Sequence, residues 1–336
     1  MQRESNIEVL RIVAMSFILI YHFLCHSIKI DGMDPWLYQG LVITNICGVN
    51  LFVMISGYFG IRSSVKSFVK LAGMIVFYSV VCLIIGVEIF GMQITLAKII
   101  KAFIMPFTSQ YWFLECYLGL YILAPLINKG LENLTHNELK NVVLLLTIIS
   151  VFSCWYGNNM IGNNGYGLFH FIYIYVLGNF LRHNRLKNTS VLRWLLIGML
   201  ALVVNIGVTY MFDVYFGIFE NRFWNENATS YNNPLIIIAT IAIFLCFVNM
   251  NMKANGYINS IAAASLGCYL LQDGFLRTAV YNIQHNLVIS EPVSYVLLMY
   301  FGAFVAYWVF SYVLYRVYSV GYKLLSQAKI SASYRI

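Results

Sequence analysis

The sequence predicts an all-α membrane protein, a polytopic bundle of transmembrane helices, and two observations support this fold class. Hydrophobic residues make up 60% of the chain and charged residues only 10%, whereas charged residues make up about 25% of a soluble protein. The apolar residues also occur in runs of about 20, the length at which an α-helix crosses the hydrocarbon core of a bilayer. The net charge of +8 does not indicate nucleic acid here, because the placement of the charges fits a membrane topology.

We predict about ten membrane-spanning helices in one integral membrane domain, 1–325, followed by a short cytoplasmic tail, 326–336. A further helix over 94–107 carries Lys98 and Lys101 on one face and is expected to lie in the membrane interface. The predicted spans are 7–27, 37–60, 68–90, 111–128, 138–156, 166–182, 192–217, 233–250, 258–281 and 292–320.

The distribution of Lys and Arg predicts the orientation of these spans. If the N-terminus is cytoplasmic, most of the 21 Lys and Arg residues fall on the inner side of the membrane. The positive-inside rule favours this arrangement. An even number of spans then places both termini in the cytoplasm.

The first apolar segment, 7–27, carries Arg11 and His22 at positions eleven residues apart. At about 100° and 1.5 Å per residue, both lie on one stripe of the helix, about 16 Å apart. Ionisable residues inside a membrane are candidates for function. We predict that His22 is a general base and that Arg11 binds a phosphate or carboxylate. The structural alternatives are a snorkelling Arg and a hydrogen-bonded buried His.

His26 follows His22 by one helical turn, which makes a metal-binding pair conceivable. Because no third ligand lies nearby in the sequence, we expect no metal. We also expect no bound cofactor.

The second apolar segment ends with Ser56-Gly57, and Arg62 lies just beyond it. A small residue beside a cation at the membrane surface could admit a nucleotide phosphate. The alternative is a helix-packing notch followed by a positive-inside arginine.

Glu115 lies one turn into the fourth predicted span, with Tyr111 and Trp112 close by in sequence. An intramembrane carboxylate must be paired, protonated or in contact with water. Glu115 could orient an imidazolium or bind a sugar hydroxyl, or it could be a buried partner of Arg11 or Arg277.

Asp273 and Arg277 are four residues apart in the ninth predicted span. Residues at this spacing are neighbours on the surface of a helix. We therefore predict that Asp273 and Arg277 pair with each other.

Two predicted outer loops, 157–167 and 219–234, are rich in Asn, and Tyr166, Trp224 and Tyr231 are interleaved with the amides. Amides donate and accept hydrogen bonds, and aromatic faces are flat apolar surfaces. This combination suits a sugar. The alternative is that Asn and Gly simply form turns.

Three stretches together resemble acyltransferase family 3, integral membrane proteins that O-acylate surface polysaccharides and lipid-linked glycans. The most specific is the stretch in which ten residues separate Arg11 from His22, and Ala14 follows three residues after the Arg. The others are LFVMISGYFGIR (51–62) and YWFLECYLGLYILAP (111–125). One position departs from the family pattern: Gln272 stands where relatives commonly have His.

The resemblance implies an O-acyltransferase of the bacterial cytoplasmic membrane. Acyl-CoA, by default acetyl-CoA, is the implied co-substrate, and the implied acceptor is a sugar hydroxyl of a cell-surface or lipid-linked polysaccharide. Transfer could be direct or could pass through an acyl group on His22. A transporter or flippase of a lipid-linked saccharide is the alternative. The site residues expected are catalytic His22 and Arg11; donor-binding Arg62, Ser56 and Gly57; and, for the acceptor or oxyanion, Glu115, Trp112, Tyr111 and Arg277.

Overall fold

A computed structural model describes residues 4–28, 34–155, 163–183, 189–216 and 227–333. Within these ranges the chain is helical and forms no β-strand, which confirms the all-α part of the predicted fold class. The helices are α1 (Ser5–Phe23), α2 (Pro35–Asn45), α3 (Cys47–Phe59), α4 (Val65–Glu88), α5 (Leu96–Ile104), α6 (Trp112–Glu132), α7 (His136–Trp155), α8 (Leu168–His183), α9 (Val191–Phe216), α10 (Pro234–Val248), α11 (Gly256–Ala262), α12 (Ser265–Gln272), α13 (Arg277–Ser290) and α14 (Val293–Ser333).

Five helical stretches in the described residues are long and apolar enough to cross a membrane. Helix also occupies the other predicted segments, but a total of ten spans and cytoplasmic termini stay predictions. The five stretches are Ser5–Ile28, Pro35–Phe59, Val65–Glu88, Val191–Phe212 and Val293–Gln327.

The ninth predicted segment, 258–281, is not one continuous helix, so that prediction is wrong. It contains the end of α11, all of α12 and the start of α13. The second break contains Gly274, where a Cβ atom would clash with the Tyr111 hydroxyl. Only a residue without a side chain permits that close approach.

Polar caps determine where several helices begin. Asp34 accepts hydrogen bonds from the backbone of Trp36 and Leu37, and Asn233 does the same at the start of α10. Each of these two caps is followed by a proline at the first helical position, where no N–H donor is needed.

The short helix expected over 94–107 is present as α5, capped by the side chain of Thr95. Its apolar residues are strongly exposed: Leu96 is 72% and Phe103 is 61% exposed. This amphipathic surface agrees with a helix in the membrane interface, and that location stays a prediction.

The chain forms two compact units, each built from two separate stretches. The first unit comprises Met1–Ser63 and Trp112–Ile258, and it contains α1–α3 and α6–α10. The second comprises Ser64–Tyr111 and Asn259–Ile336, with α4, α5 and α12–α14. The single domain of 1–325 stays a prediction, and the predicted tail from 326 is helical as far as Ser333.

Close helix packing places α1, α3 and α8 together in the first unit. A Cβ atom on Gly48 would lie 2.7 Å from the carbonyl oxygen of Ala14, so α1 and α3 touch through their backbones. The start of α1 is held as well: Asn6 Nδ2 donates to the carbonyl of Phe247 at 2.9 Å. These contacts fix the helix that carries both Arg11 and His22.

Candidate functional site

Arg11 is held by a carboxylate that the sequence analysis missed. Its guanidinium lies 3.0 and 3.2 Å from the two carboxylate oxygens of Glu8, one turn earlier in α1. The Glu8 side chain is 5% exposed and that of Arg11 is 29% exposed. The cation is therefore fixed on one side by an ion pair and partly open on the other.

His22 lies in the last turn of α1 and is 8% exposed. Directly after it, Leu24–Ile28 form a π-helical turn, a local widening that often occurs at functional sites. The ring of His26 lies 5.7 Å from that of His22, centre to centre. Among the described residues no group of three His, Cys, Asp or Glu side chains is arranged to hold a metal ion.

Ser56 of α3 contacts a residue of another helix, Tyr117 of α6. The Ser56 hydroxyl lies 3.3 Å from the Tyr117 hydroxyl. One predicted site residue thus meets a tyrosine that is not among the predicted site residues.

Arg62 is exposed, and the backbone beside it is held by a closed ring of hydrogen bonds. The Ile61 N–H donates to the Tyr175 hydroxyl at 2.8 Å, and that hydroxyl donates to Asn128 Oδ1 at 2.7 Å. Asn128 Nδ2 donates back to the Ile61 carbonyl at 3.0 Å. This ring positions the exposed arginine at the end of α3.

Gly57 lies in a close helix contact, as the packing alternative predicts. A Cβ atom on Gly57 would clash with the carbonyl oxygen of Tyr175 in α8. Gly178 of α8 meets the Met54 carbonyl of α3 in the same way. The donor-binding role of Gly57 stays a prediction.

Trp112 lies in an aromatic cluster with Tyr166 and Tyr231. The Trp112 ring is 4.6 Å from that of Tyr166 and 5.6 Å from that of Tyr231, centre to centre. The Tyr166 hydroxyl interacts with the hydroxyls of Tyr231 and Tyr21, and Tyr21 precedes His22 in α1. Tyr166 and Tyr231, two of the three aromatic residues predicted from the loops, therefore meet beside the end of α1.

The described loop asparagines mainly support the fold. Asn232 Nδ2 donates to the Ser150 carbonyl at 3.1 Å. The Tyr231 carbonyl accepts from Asn50 Nδ2 of α3 at 2.8 Å, and Asn50 Oδ1 lies 2.9 Å from His170 Nε2. Asn233 Nδ2 donates to the Asn227 carbonyl at 2.9 Å. The turn interpretation thus accounts for these amides, while Trp224 and 157–162 lie outside the described residues.

Glu115 is exposed, so the alternative in which it is the buried partner of an arginine is wrong. Arg11 pairs with Glu8, and Arg277 pairs with Asp273 at 3.0 Å. The predicted pairing of Asp273 with Arg277 is thereby confirmed.

Tyr111 is fully buried in the second unit, where its hydroxyl donates to the Leu270 carbonyl at 2.9 Å. A phenol has only one proton to donate, so Tyr111 is not available as an oxyanion donor while this bond exists. Gln272 is also buried in this unit, 3% exposed.

Comparisons with known proteins identify one family. The family model for the acyltransferase domain of acyltransferase family 3 matches residues 4–313, which is nearly the whole chain. No curated protein and no solved structure matches.

Proposed function

The chain belongs to acyltransferase family 3, and from that premise we propose that it is a membrane O-acyltransferase. It moves an acyl group, by default acetyl, from acyl-CoA to a sugar hydroxyl of a cell-surface or lipid-linked polysaccharide. The proposed location is the bacterial cytoplasmic membrane. The observation that carries the proposal is a buried His22 and an ion-paired Arg11 on one apolar helix.

The donor is a long anionic molecule, and the cations of the first unit suit it. Arg11 is partly exposed, and a guanidinium matches the geometry of a phosphate. Ser56 and Tyr117, whose hydroxyl oxygens lie 3.3 Å apart, add polar groups in the same unit. Arg62 adds a second exposed cation at the end of α3.

His22 performs the proton transfers in the proposed reaction. Its imidazole removes the proton from the sugar hydroxyl, and the oxygen attacks the carbonyl carbon of the thioester. The carbon–sulfur bond breaks, an ester forms, and the CoA thiolate leaves with the proton that His22 returns. The attacking hydroxyl and the thioester must both reach the end of α1 for this step.

The aromatic cluster of Trp112, Tyr166 and Tyr231 supports an acceptor site in the same unit. Its rings are flat apolar surfaces, and the Trp112 indole N–H is a hydrogen-bond donor. Tyr166 is 36% exposed, so the cluster is open to a ligand. A neutral sugar ring fits these groups better than it fits the cations near Arg11.

The test is glycan-dependent release of CoA by the purified protein in lipid nanodiscs. We expect free thiol to appear only when acetyl-CoA and a polysaccharide acceptor are both present, with mass spectrometry showing one acetyl group added per thiol. If no glycan stimulates thiol release while lipid-linked saccharide crosses proteoliposomes that contain the protein, the chain is a transporter and the proposal is wrong.

A further inference from the structure

A buried chain of two hydrogen bonds links His170 of α8 to the aromatic cluster of Trp112, Tyr166 and Tyr231. His170 Nε2 lies 2.9 Å from Asn50 Oδ1, and Asn50 Nδ2 donates to the Tyr231 carbonyl at 2.8 Å. His170, Asn50 and Tyr231 are 2%, 1% and 3% exposed. The proposed acyl transfer gives His170 and Asn50 no role, yet their chain of bonds ends at a member of the proposed acceptor site.

The direction of both hydrogen bonds follows from the Tyr231 carbonyl, which can only accept. The amide nitrogen of Asn50 is therefore the donor, and Asn50 Oδ1 faces the imidazole as an acceptor. His170 Nε2 must then carry the proton. Among the described residues no group bonds to His170 Nδ1, which is inaccessible to solvent, so a second proton there would have no acceptor. His170 is thus a neutral hydrogen-bond donor that cannot exchange a proton with a substrate.

The backbone of Tyr231 is held a second time, by the loop that carries Tyr166. The Tyr231 N–H donates to the Asn164 carbonyl at 3.0 Å. Asn163, Asn164 and Gly165 all have positive φ angles, 34°, 52° and 81°, and Asn and Gly are the residue types that best tolerate this conformation. A Cβ atom on Gly165 would clash with Tyr231. The loop therefore lies directly against Tyr231, and the N–H and the carbonyl of this residue are both fixed.

Tyr231 is in turn the buried member of the aromatic cluster. Its ring lies 5.6 Å from that of Trp112 and 4.8 Å from that of Tyr166, centre to centre. Trp112 is partly exposed and Tyr166 is 36% exposed, so a ligand reaches these two rings rather than Tyr231. A binding surface that is already in place loses less conformational freedom on binding than one that must rearrange.

We propose that His170 and Asn50 are positioning residues for the acceptor glycan. The hydrogen bond from His170 fixes the amide of Asn50, and that amide fixes the backbone of Tyr231. Tyr231 then holds the rings of Trp112 and Tyr166 at the spacing that the sugar contacts. His170 and Asn50 neither touch the substrate nor take up its proton. This assignment rests on the proposed acyl transfer to a sugar hydroxyl.

The experiment compares the wild-type protein with His170→Gln and His170→Phe, and with His183→Phe as a matched control. Glutamine keeps an N–H donor for Asn50 but cannot act as a base, whereas phenylalanine keeps a ring and loses the donor. His183 lies in the last turn of the same helix and is exposed. Thiol release in nanodiscs gives kcat and the KM values for the polysaccharide acceptor and for acetyl-CoA.

We expect His170→Phe to raise the KM for the glycan about fivefold, the scale of one lost hydrogen bond to the Asn50 amide. Its kcat and its KM for acetyl-CoA should not change. His170→Gln should restore the glycan KM to within about twofold of the wild type, because the position needs a donor and not a base. The control should match the wild type in all three values.

Asn50→Leu tests the next bond of the same chain. It should raise the KM for the glycan about tenfold, because His170 and the Tyr231 carbonyl both lose a partner. When Asn50→Leu is combined with Trp112→Leu, the KM should rise no further than in the stronger single variant, because both changes act through one cluster.

Two results would overturn the assignment while acyl transfer still stood. One is a KM that rises equally for both substrates, or effects of Asn50→Leu and Trp112→Leu that multiply. The other is a large loss of kcat in His170→Gln, which would make His170 a proton-transfer residue. Absence of turnover by the wild type would instead reject the proposed function, and the positioning role with it.

Discussion

The two ends of α1 lie in different surroundings. At the Arg11 end, polar groups are partly open and charged: Arg11 is 29% exposed and ion-paired, and Arg62 is exposed. At the His22 end, an 8% exposed imidazole lies beside a cluster of aromatic rings with few charges. The difference shows that one helix joins a charged environment and an aromatic one, which supports the proposal that an anionic donor binds at one end and a neutral sugar at the other.

The most severe test of this comparison is His22→Gln. Removing the base should lower kcat about 10³-fold, within the range for loss of general-base catalysis. The amide keeps hydrogen bonding but cannot take up a proton, so binding of both substrates should be nearly unchanged. Glycan-dependent thiol release measures kcat, and His285→Gln in the second unit is the control. A loss of less than tenfold would show that His22 is not the base.

The Arg11 end is tested by Arg11→Gln and by the double variant Glu8→Gln/Arg11→Gln. The single change leaves the Glu8 carboxylate buried without its cation and should destabilise the protein by about 2 kcal/mol. The double variant removes both charges and should recover most of that stability. Thermal unfolding of the detergent-solubilised protein measures this difference.

Steady-state turnover distinguishes a donor-binding role of Arg11 from a purely structural role in its ion pair with Glu8. If Arg11 binds the donor, the KM for acetyl-CoA stays raised about tenfold in the double variant although its stability is restored. A KM that returns to the wild-type value together with stability would reduce Arg11 to a structural residue.

The smallest expected effect is that of Trp112→Leu at the His22 end. Loss of an aromatic surface should raise the KM for the glycan about fivefold, because such contacts contribute about 1 kcal/mol. The KM for acetyl-CoA should not change, and Trp308→Leu in α14 is the matched control. A raised KM for acetyl-CoA would contradict the proposal that the donor and the glycan bind at opposite ends of α1.

Features set by local spacing could be predicted from the sequence. Asp273 and Arg277 pair as expected from their separation of four residues, and α5 forms where an amphipathic run was recognised. The apolar runs also predict where the helices of the first unit begin and end, to within a few residues. In each case the information lies within one or two helical turns.

Features that depend on contacts between distant segments could not be predicted. The buried bond between His170 and Asn50 joins residues 120 positions apart, and Tyr117 meets Ser56 across 61. Gly57 contacts α8 rather than open space, and Tyr111 donates to a carbonyl of α12. Residue type alone does not show which neighbour a side chain meets.

The ion pair of Glu8 with Arg11 differs from these features, because the sequence spacing that predicts it is local. Glu8 lies three residues before Arg11, a spacing at which opposite charges meet on a helix. The apolar character of 7–27 hides this carboxylate, because the basic residues alone already mark the segment as a candidate site. Counting both signs of charge within each apolar run identifies Glu8 as the partner of Arg11.

The length of α14 has a consequence for the second unit. Its 41 residues extend about 60 Å, whereas the hydrocarbon core of a bilayer is about 30 Å thick. Even a strongly tilted helix of this length leaves several turns beyond the lipid tails. If α14 crosses the bilayer, a fluorophore near Ser326, three residues after Lys323, is expected in water or among the headgroups, where it would report rotation of the whole helix.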